Sequence, residues 1–151
     1  MQFSMKCSIA VHCLIFIHEA NDHIKVTSPL LSLSTGVNPA TIRSILSVLK
    51  KAGIIQVELG TGGATLQKDP RDINLYMIDK AVEPHDFDQL IKIHPCKYPL
   101  CPVARSMSQI LRRPYQEIEE VIRIKMESID LQSLIEGVTH EVCGFFELAN
   151  N

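Results

Sequence analysis

The chain has 151 residues, of which 46% are hydrophobic and 21% charged, a composition typical of folded globular proteins and not of disordered chains. No segment approaches the roughly 20 consecutive apolar residues of a membrane-spanning helix, and His12 interrupts the apolar N-terminus, so we expect a cytoplasmic protein with reduced cysteines. The net charge of −2 conceals a basic window, because no acidic residue lies between Asp22 and Glu58. Such a window suits a surface that approaches phosphate groups, although chance in a neutral stretch explains it equally well.

The first predicted helix covers residues 3–20 and carries two apolar stripes at helical spacing. Two stripes on one helix predict burial on two sides, one facing its own domain and the other available to a partner chain. The stripes consist of Ile9, Cys13, Phe16 and Ala20, and of Ala10, Leu14 and Ile17.

Two short helices are predicted next, separated by a turn at residues 35–37. The Thr27 hydroxyl and Pro29 mark the start of the first, which ends near Ser34. Asn38 and Pro39 repeat this start signal, and Gly53 follows the second helix in the position that ends many helices. Two helices joined by a short turn that contains glycine form a helix-turn-helix. The predicted buried face of the second helix consists of Ile42, Ile45, Leu46 and Leu49.

The opposite face of this helix is small, hydroxylated or basic. It contains no acidic residue, whereas an ordinary solvated face usually mixes glutamate with lysine. Small residues allow close approach to a DNA groove, hydroxyls reach base edges or phosphates, and an arginine can bind guanine with two hydrogen bonds. The pattern therefore favours a helix in the major groove over a solvated face. The residues of this face are Ala40, Thr41, Arg43, Ser44, Ser47 and Lys51.

A hairpin follows, with strands at residues 54–59 and 64–67 and a glycine-rich tip at residues 60–63. The tip lacks the Lys-Ser/Thr pair of a nucleotide phosphate loop, and no helix follows it. We therefore predict a wing whose contacts to DNA come from Thr61, from backbone N–H groups at Gly62 and Gly63, or from Lys68 at its base.

Asn74 caps another short helix that ends near Pro84, and residues 84–101 form a proline-rich loop with a short turn at 87–91. Pro102 then begins the longest helix, which ends near Ile129 and which Pro114 is expected to kink near Ile110. Asp130 caps a last helix at residues 131–136.

The longest helix carries one sustained apolar stripe, with Glu117, Glu119, Glu120 and Glu127 on its solvent side. A helix of this length cannot bury its stripe on a small domain, so it is expected to pair with a second copy of itself. The predicted dimer interface consists of Met107, Leu111, Tyr115, Ile118, Ile122 and Met126.

Two cysteines in the loop, Cys96 and Cys101, lie close in sequence to His94. They are compatible with an unusual cluster or metal site, with a thiol–disulfide switch, or with no special chemistry. Cys7 and Cys13 are predicted to be small core residues. The sequence contains no nucleophile–base arrangement or paired carboxylates that would indicate an enzyme.

The motifs NP-x-x-IR-x-IL-x-x-LKKAG and G-x-GG-A-x-L occur together in this order of elements. Over residues 3 to about 136 the chain resembles the Rrf-two family of winged-helix bacterial repressors. The resemblance implies a homodimer that binds a pseudo-palindromic DNA operator, with residues 39–52 in the major groove. On matching positions it implies DNA contacts from Ser28, Asn38, Pro39, Thr41, Arg43, Ser44 and Ser47.

Family members that bind an iron–sulfur cluster hold it with three cysteines in the loop before the long helix. This chain has only Cys96 and Cys101 there, so it looks more like the cluster-free branch. We expect no cofactor, and the sequence does not identify a small-molecule effector.

The sequence thus predicts a mainly α (α+β) winged helix-turn-helix with a long C-terminal dimerisation helix. Its predicted parts are a DNA-binding domain at 1–83, a sensor-type loop at 84–101, dimerisation helices at 102–137 and a tail at 138–151. The predicted function is a sequence-specific DNA-binding transcriptional regulator, a homodimeric repressor. The alternatives are a winged-helix protein-interaction module without DNA binding, and a redox-sensing regulator that uses Cys96 and Cys101.

Overall fold

Six helices and a two-stranded sheet make up the fold in a computed structural model that describes residues 4–20, 23–58, 63–83 and 90–138. In chain order they are α1 (Met5–Ala20), α2 (Ser28–Thr35), α3 (Pro39–Lys51), β1 (Ile55–Glu58), β2 (Gly63–Leu66), α4 (Leu75–Val82), α5 (Pro102–Glu127) and α6 (Leu131–Ile135), with a short 3-10 helix at Pro70–Asp72 before α4. This architecture confirms the predicted mainly α fold with a helix-turn-helix and a hairpin. None of the described helices is both long and apolar enough to cross a membrane.

Helix α1 lies at the centre of the core and contacts α2, α3, α4, α6 and β2. Most residues of both predicted stripes are buried, among them Cys13 and Phe16 of one and Leu14 and Ile17 of the other. The prediction that one stripe would be available to a partner chain is therefore wrong. Both stripes bury apolar surface within the same chain, which is the main favourable term in folding.

The two helices of the helix-turn-helix have the predicted capping interactions. Thr27 Oγ1 accepts the N–H of Leu30 at 3.4 Å, and Asn38 Oδ1 accepts the N–H of Ala40 at 2.8 Å. Helix α3 ends in a Schellman arrangement, because the Gly53 N–H donates to Lys50 O and the Ile54 N–H donates to Leu49 O, both at 3.0 Å. Gly53 has a φ of +69°, as this ending requires.

The sheet is an antiparallel hairpin in which Ile55 pairs with Leu66 and Glu58 pairs with Gly63. It is anchored to the segment before α2, because the Ala64 N–H donates to Val26 O at 3.0 Å. The predicted strands also include Ile54 before β1 and Gln67 after β2. Residue 59 and the tip at 60–62 lie outside the described residues.

The C-terminal helices return to the first domain. The Leu75 N–H donates to Ile129 O at 2.9 Å and the Leu131 N–H donates to Ile73 O at 2.7 Å, which ties the end of α5 to the start of α4. Leu131 and Ile135 of α6 are part of the core that α1 organises. The predicted division of the chain places residues 102–137 outside the first domain, whereas α6 packs into its core.

Candidate nucleic-acid interface

Helix α3 presents the predicted DNA-contacting residues on one exposed face. Four apolar residues of α3 are buried against the core, which turns the opposite face to solvent. Thr41 is half-buried at the edge of that face. The exposed residues are Ala40, Arg43, Ser44, Ser47 and Lys51.

The exposed face of α3 carries positive charge and small side chains. Arg43, Lys50 and Lys51 are all exposed, and α3 contains no acidic residue. Ala40, Ser44 and Ser47 are small, so the helix backbone can approach another surface closely between the cations. This combination fits a major groove, whose edges are lined by phosphates and whose floor offers hydrogen-bonding base edges.

The N-termini of α2 and α3 add partial positive charge and also lack acidic residues in their first turns. Ser28 is the first residue of α2 and is half-buried, as is Pro39 at the start of α3. Asn38 is exposed, but its side-chain oxygen is occupied by the cap to Ala40. The amide nitrogen of Asn38 is therefore the atom available to donate to a phosphate or a base.

The wing differs from the prediction at Gly63. This residue is buried, and a β-carbon built on it would lie 3.0 Å from Val26 O and 3.0 Å from Lys25 Cγ. The assignment of Gly63 as a DNA contact is wrong, because this glycine faces the segment before α2. The predicted contacts Thr61 and Gly62 lie outside the described residues.

Lys25 is a further candidate for the DNA interface and is not among the residues predicted from the sequence. Its exposed side chain passes beside Gly63, the first residue of β2, at the end of the hairpin nearest the tip. Lys68 is exposed just after β2. The signal for Lys25 in the sequence was its place inside the window without acidic residues, but only the fold shows that it adjoins the hairpin.

Helix α5 exposes apolar side chains over its length, but the exposed face is rotated from the predicted one. Ile118 is exposed, and Met107, Leu111 and Ile122 are half-buried. Some of the most exposed apolar residues of α5 are not among those predicted for the dimer interface. The exposed apolar residues of α5 are Val103, Ile110, Ile118, Val121 and Ile124.

Two residues of the predicted dimer interface face the chain itself. Met126 is only 6% exposed and lines a groove with Cys7, Leu75 and Leu134, so its assignment to a dimer interface is wrong. Tyr115 is half-buried and lines a cavity beside Ile91, on a different side of α5 from Val121. The physical reason is that the C-terminal end and the loop side of α5 are packed on other parts of the same chain.

Glu119 also departs from its predicted place on the solvent side. It is 4% exposed and its Oε1 accepts the N–H of Ile91 at 3.0 Å. The other three glutamates of α5 that were predicted to be solvated are exposed. They pair with Arg113 and Arg123 on the same helix, an arrangement that contributes little in water.

The cysteines divide into buried and accessible thiols. Cys7 and Cys13 are buried in the core as predicted, and burial raises the pKa of the Cys13 thiol to about 11. Burial, together with the neighbouring carboxylate of Asp79, raises the pKa of the Cys7 thiol to about 12. Cys96 is exposed and Cys101 is half-buried at the start of α5.

No group of three or more metal-ligating side chains converges anywhere in the described part of the chain. Cys96, Cys101 and His94 therefore do not form a three-ligand site there. An iron–sulfur cluster is usually held by four ligands, which are cysteines or, at some sites, histidines. The described residues of this loop do not fit such a group.

Comparison with known proteins gives a family and a fold. Residues 3–137 match the family model described as "Rrf2: Iron-dependent Transcriptional regulator". The chain is 28% identical over 130 residues to YwnA of Bacillus subtilis (strain 168), which is named as an HTH-type transcriptional regulator. That match covers 86% of this chain and 94% of YwnA.

Solved structures agree with the architecture. A protein from Lactobacillus plantarum, described as a transcriptional regulator, is 26% identical with a TM-score of 0.73 and 97% coverage of both chains. CymR (YrzC), the global cysteine regulator of Bacillus subtilis, has a TM-score of 0.67 at 14% identity. That similarity covers 92% of this chain and 99% of CymR, and at this identity it supports the fold alone.

Proposed function

We propose that this chain, which belongs to the Rrf2 family of transcriptional regulators and is not an enzyme, is a homodimeric repressor. It reads a pseudo-palindromic DNA operator with α3. The observation that carries the proposal is the face of α3 described above. Arg43, Ser44 and Ser47 are exposed together on a helix whose opposite side is held by the core. A recognition helix needs this combination, because base contacts require side chains fixed in direction on a rigid element.

The contacts divide into two kinds. Arg43 is proposed to contact a guanine edge, and Ser44 and Ser47 to contact neighbouring base edges. Lys51, with Lys25 near the wing, is proposed to contact phosphates, which fix the orientation of the protein without reading sequence. Thr61 and Gly62 at the wing tip remain predicted backbone contacts to DNA.

The homodimer is supported by the exposed apolar face of α5. Ile118, Val121 and Ile124 are 46%, 66% and 53% exposed, and contiguous apolar surface of this kind marks an interaction site. A two-fold dimer through α5 would present two copies of α3, as a pseudo-palindromic operator requires. A dimer bound over a promoter would repress transcription by blocking access of RNA polymerase.

Selection of binding sequences from a random DNA pool, followed by gel shifts on the enriched sequence, tests the proposal. We expect Arg43→Ala to weaken binding by about 1–3 kcal/mol and to relax the preference at one position of each half-site. Arg105→Ala is the matched control, because it removes the same exposed charge from α5 and should bind as wild type. Failure to enrich any sequence, with no salt dependence of binding, would favour the protein-interaction module.

We also propose that the protein regulates without an iron–sulfur cluster. The support is that Cys96 and Cys101 are the loop's two thiols and that the described residues around them supply no further ligand set. Protein purified without oxygen should be colourless and contain no stoichiometric iron or sulfide. Visible cluster absorption that is lost in a Cys96→Ala variant would contradict this proposal and establish the redox sensor.

A further inference from the structure

A cavity of about 410 Å³ lies between α5 and the segment that follows residue 89. Its volume is in the range of small-molecule sites, about 300–1,000 Å³. It is separate from the exposed face of α3 and lies on a different side of α5 from Val121. The lining residues are Ile91, Lys92, Ile93, Arg112, Tyr115, Gln116 and Glu119.

The lining residues of α5 recur at intervals of three and four residues, from Arg112 through Tyr115 and Gln116 to Glu119. This spacing places all of them on one side of the helix. Ile91 and Ile93 form the facing wall, and the Ile91 N–H donates to Glu119 Oε1 at 3.0 Å. The hydrogen bond holds the segment against α5 and so keeps the cavity walls in place.

Glu119 is the unusual member of the lining. Only 4% of its surface is exposed. Among the described residues, its hydrogen-bond donor is the Ile91 N–H. No lysine or arginine among the described residues forms an ion pair with it. Burial of a carboxylate is costly unless a positive charge or several donors accompany it, so a cationic group in the cavity would be stabilised by Glu119.

The other two charged residues of the lining, Lys92 and Arg112, are positively charged. They are exposed to solvent, whereas Glu119 is buried. The remaining walls of the cavity are apolar and are formed by Ile91, Ile93 and the ring of Tyr115. A guanidinium such as that of Arg112 binds a carboxylate with two parallel hydrogen bonds.

We propose that this cavity is a binding site for a small zwitterion, an α-amino acid with an apolar side chain. Its ammonium group binds Glu119, its carboxylate binds Arg112 with Lys92 nearby, and its side chain packs between Ile91, Ile93 and Tyr115. The Gln116 amide is within the lining and can hydrogen-bond the same carboxylate. Binding at this site does not depend on the DNA contacts proposed for α3, so it can be tested without DNA.

Isothermal titration calorimetry on the full-length protein tests the site, with L-leucine, L-isoleucine, L-methionine and L-phenylalanine as probes. We expect at least one of them to bind at millimolar concentration or below. Its amide, which lacks the carboxylate, and its desamino acid, which lacks the ammonium group, should each bind at least about tenfold more weakly. Equal binding of either analogue, or no binding of any of the four amino acids, would overturn the proposal.

Variants assign the charges to residues. E119Q keeps an oxygen for the Ile91 N–H but removes the negative charge, and we expect at least about tenfold weaker binding. R112Q changes an exposed residue that the fold does not need and should also weaken binding at least about tenfold. E117Q is the matched control, since Glu117 is exposed on the same helix. If R112Q and E117Q both bound the amino acid as wild type does, the site would be elsewhere.

Discussion

Gly63 lies directly against the backbone of Val26. A β-carbon on Gly63 would come within 3.0 Å of the Val26 carbonyl oxygen and 3.1 Å of its nitrogen. The same carbonyl accepts the N–H of Ala64 at 3.0 Å, so the contact joins the second strand of the wing to the segment before α2. Gly63 also has a φ of +125°, a conformation that favours glycine. Its role is therefore to seat the wing on the domain.

We expect Gly63→Ala to lower the free energy of unfolding by about 2–4 kcal/mol, because the methyl group must displace Val26 in addition to adopting a strained φ. Urea denaturation measures this loss. Gly53→Ala is a matched control: Gly53 has a φ of +69° with nothing within 4 Å of the added β-carbon. The unfolding free energy of this variant should fall only by the cost of the left-handed conformation, about 1–2 kcal/mol. Equal losses in the two variants would contradict a close contact at Gly63.

Helix α5 has one exposed apolar side, proposed to form the dimer interface, and one side that is buried within the chain. Single substitutions on each side can distinguish their effects on dimerisation and on stability. Val121 is 66% exposed, so Val121→Glu should leave the fold intact but place a charged carboxylate in the proposed apolar dimer interface. We expect the dimer dissociation constant to rise at least about 30-fold, which corresponds to about 2 kcal/mol. Analytical ultracentrifugation measures this change, and Gln109→Glu, at an exposed position on another side of α5, should leave it unaltered.

Met126→Ala tests the other side of α5. Because Met126 is only 6% exposed and lines a groove together with Cys7, Leu75 and Leu134, its truncation should lower the free energy of unfolding of the chain by about 2–5 kcal/mol. The dimer dissociation constant of the folded protein should change little. A variant that dissociated while keeping its full unfolding free energy would return Met126 to the dimer interface.

The elements that the sequence predicted well are those set by local chemistry. Thr27, Asn38 and Asn74 each mark a helix start, because the capping side chain bonds to the backbone two or three residues away. Gly53 marks a helix end for the same local reason. The α3 face could also be predicted, since a short helix with one strongly apolar side has only one way to lie on a core.

The parts that the sequence did not predict depend on contacts distant in the chain. Periodicity indicates that Met126, Tyr115 and Val121 are apolar positions of one helix, but it does not indicate which of them meets the chain itself. Glu119 looks like any solvated glutamate until the backbone of Ile91, 28 residues earlier, is placed beside it. Gly63 likewise resembles a tip residue because its neighbour Val26 is 37 positions away in the sequence.

The two buried thiols should make stability depend on alkaline pH. Cys13 has a pKa raised from 9.0 to about 11 by burial, and the pKa of Cys7 is raised to about 12. Between pH 9 and 11 the unfolded chain releases protons that the folded chain retains. The raised pKa values therefore stabilise the folded state fully below pH 9, and this stabilisation is lost as pH rises toward 11.

We expect the Cys13→Ala variant to show a shallower decline of unfolding free energy between pH 9 and 11, by up to about 1.4 kcal/mol per pH unit. Urea denaturation at a series of pH values measures the slope. Cys96→Ala removes an exposed thiol and should keep the wild-type slope. If Cys13→Ala declined as steeply as wild type, the Cys13 thiol would not be held protonated by the fold.

The salt dependence of DNA binding separates a phosphate contact from a base contact on α3. Lys51 is exposed at the C-terminal end of α3, where a flexible ammonium can reach the DNA backbone. Lys51→Ala should reduce the slope of log affinity against log salt concentration by about 1, because one fewer counterion is released. It should weaken binding to all sequences alike, whereas Arg43→Ala should alter the sequence preference. Fluorescence anisotropy across a salt series measures both quantities. Arg105→Ala, at an exposed arginine near the start of α5, is the control and should retain the wild-type slope. An unchanged slope in Lys51→Ala would remove Lys51 from the interface.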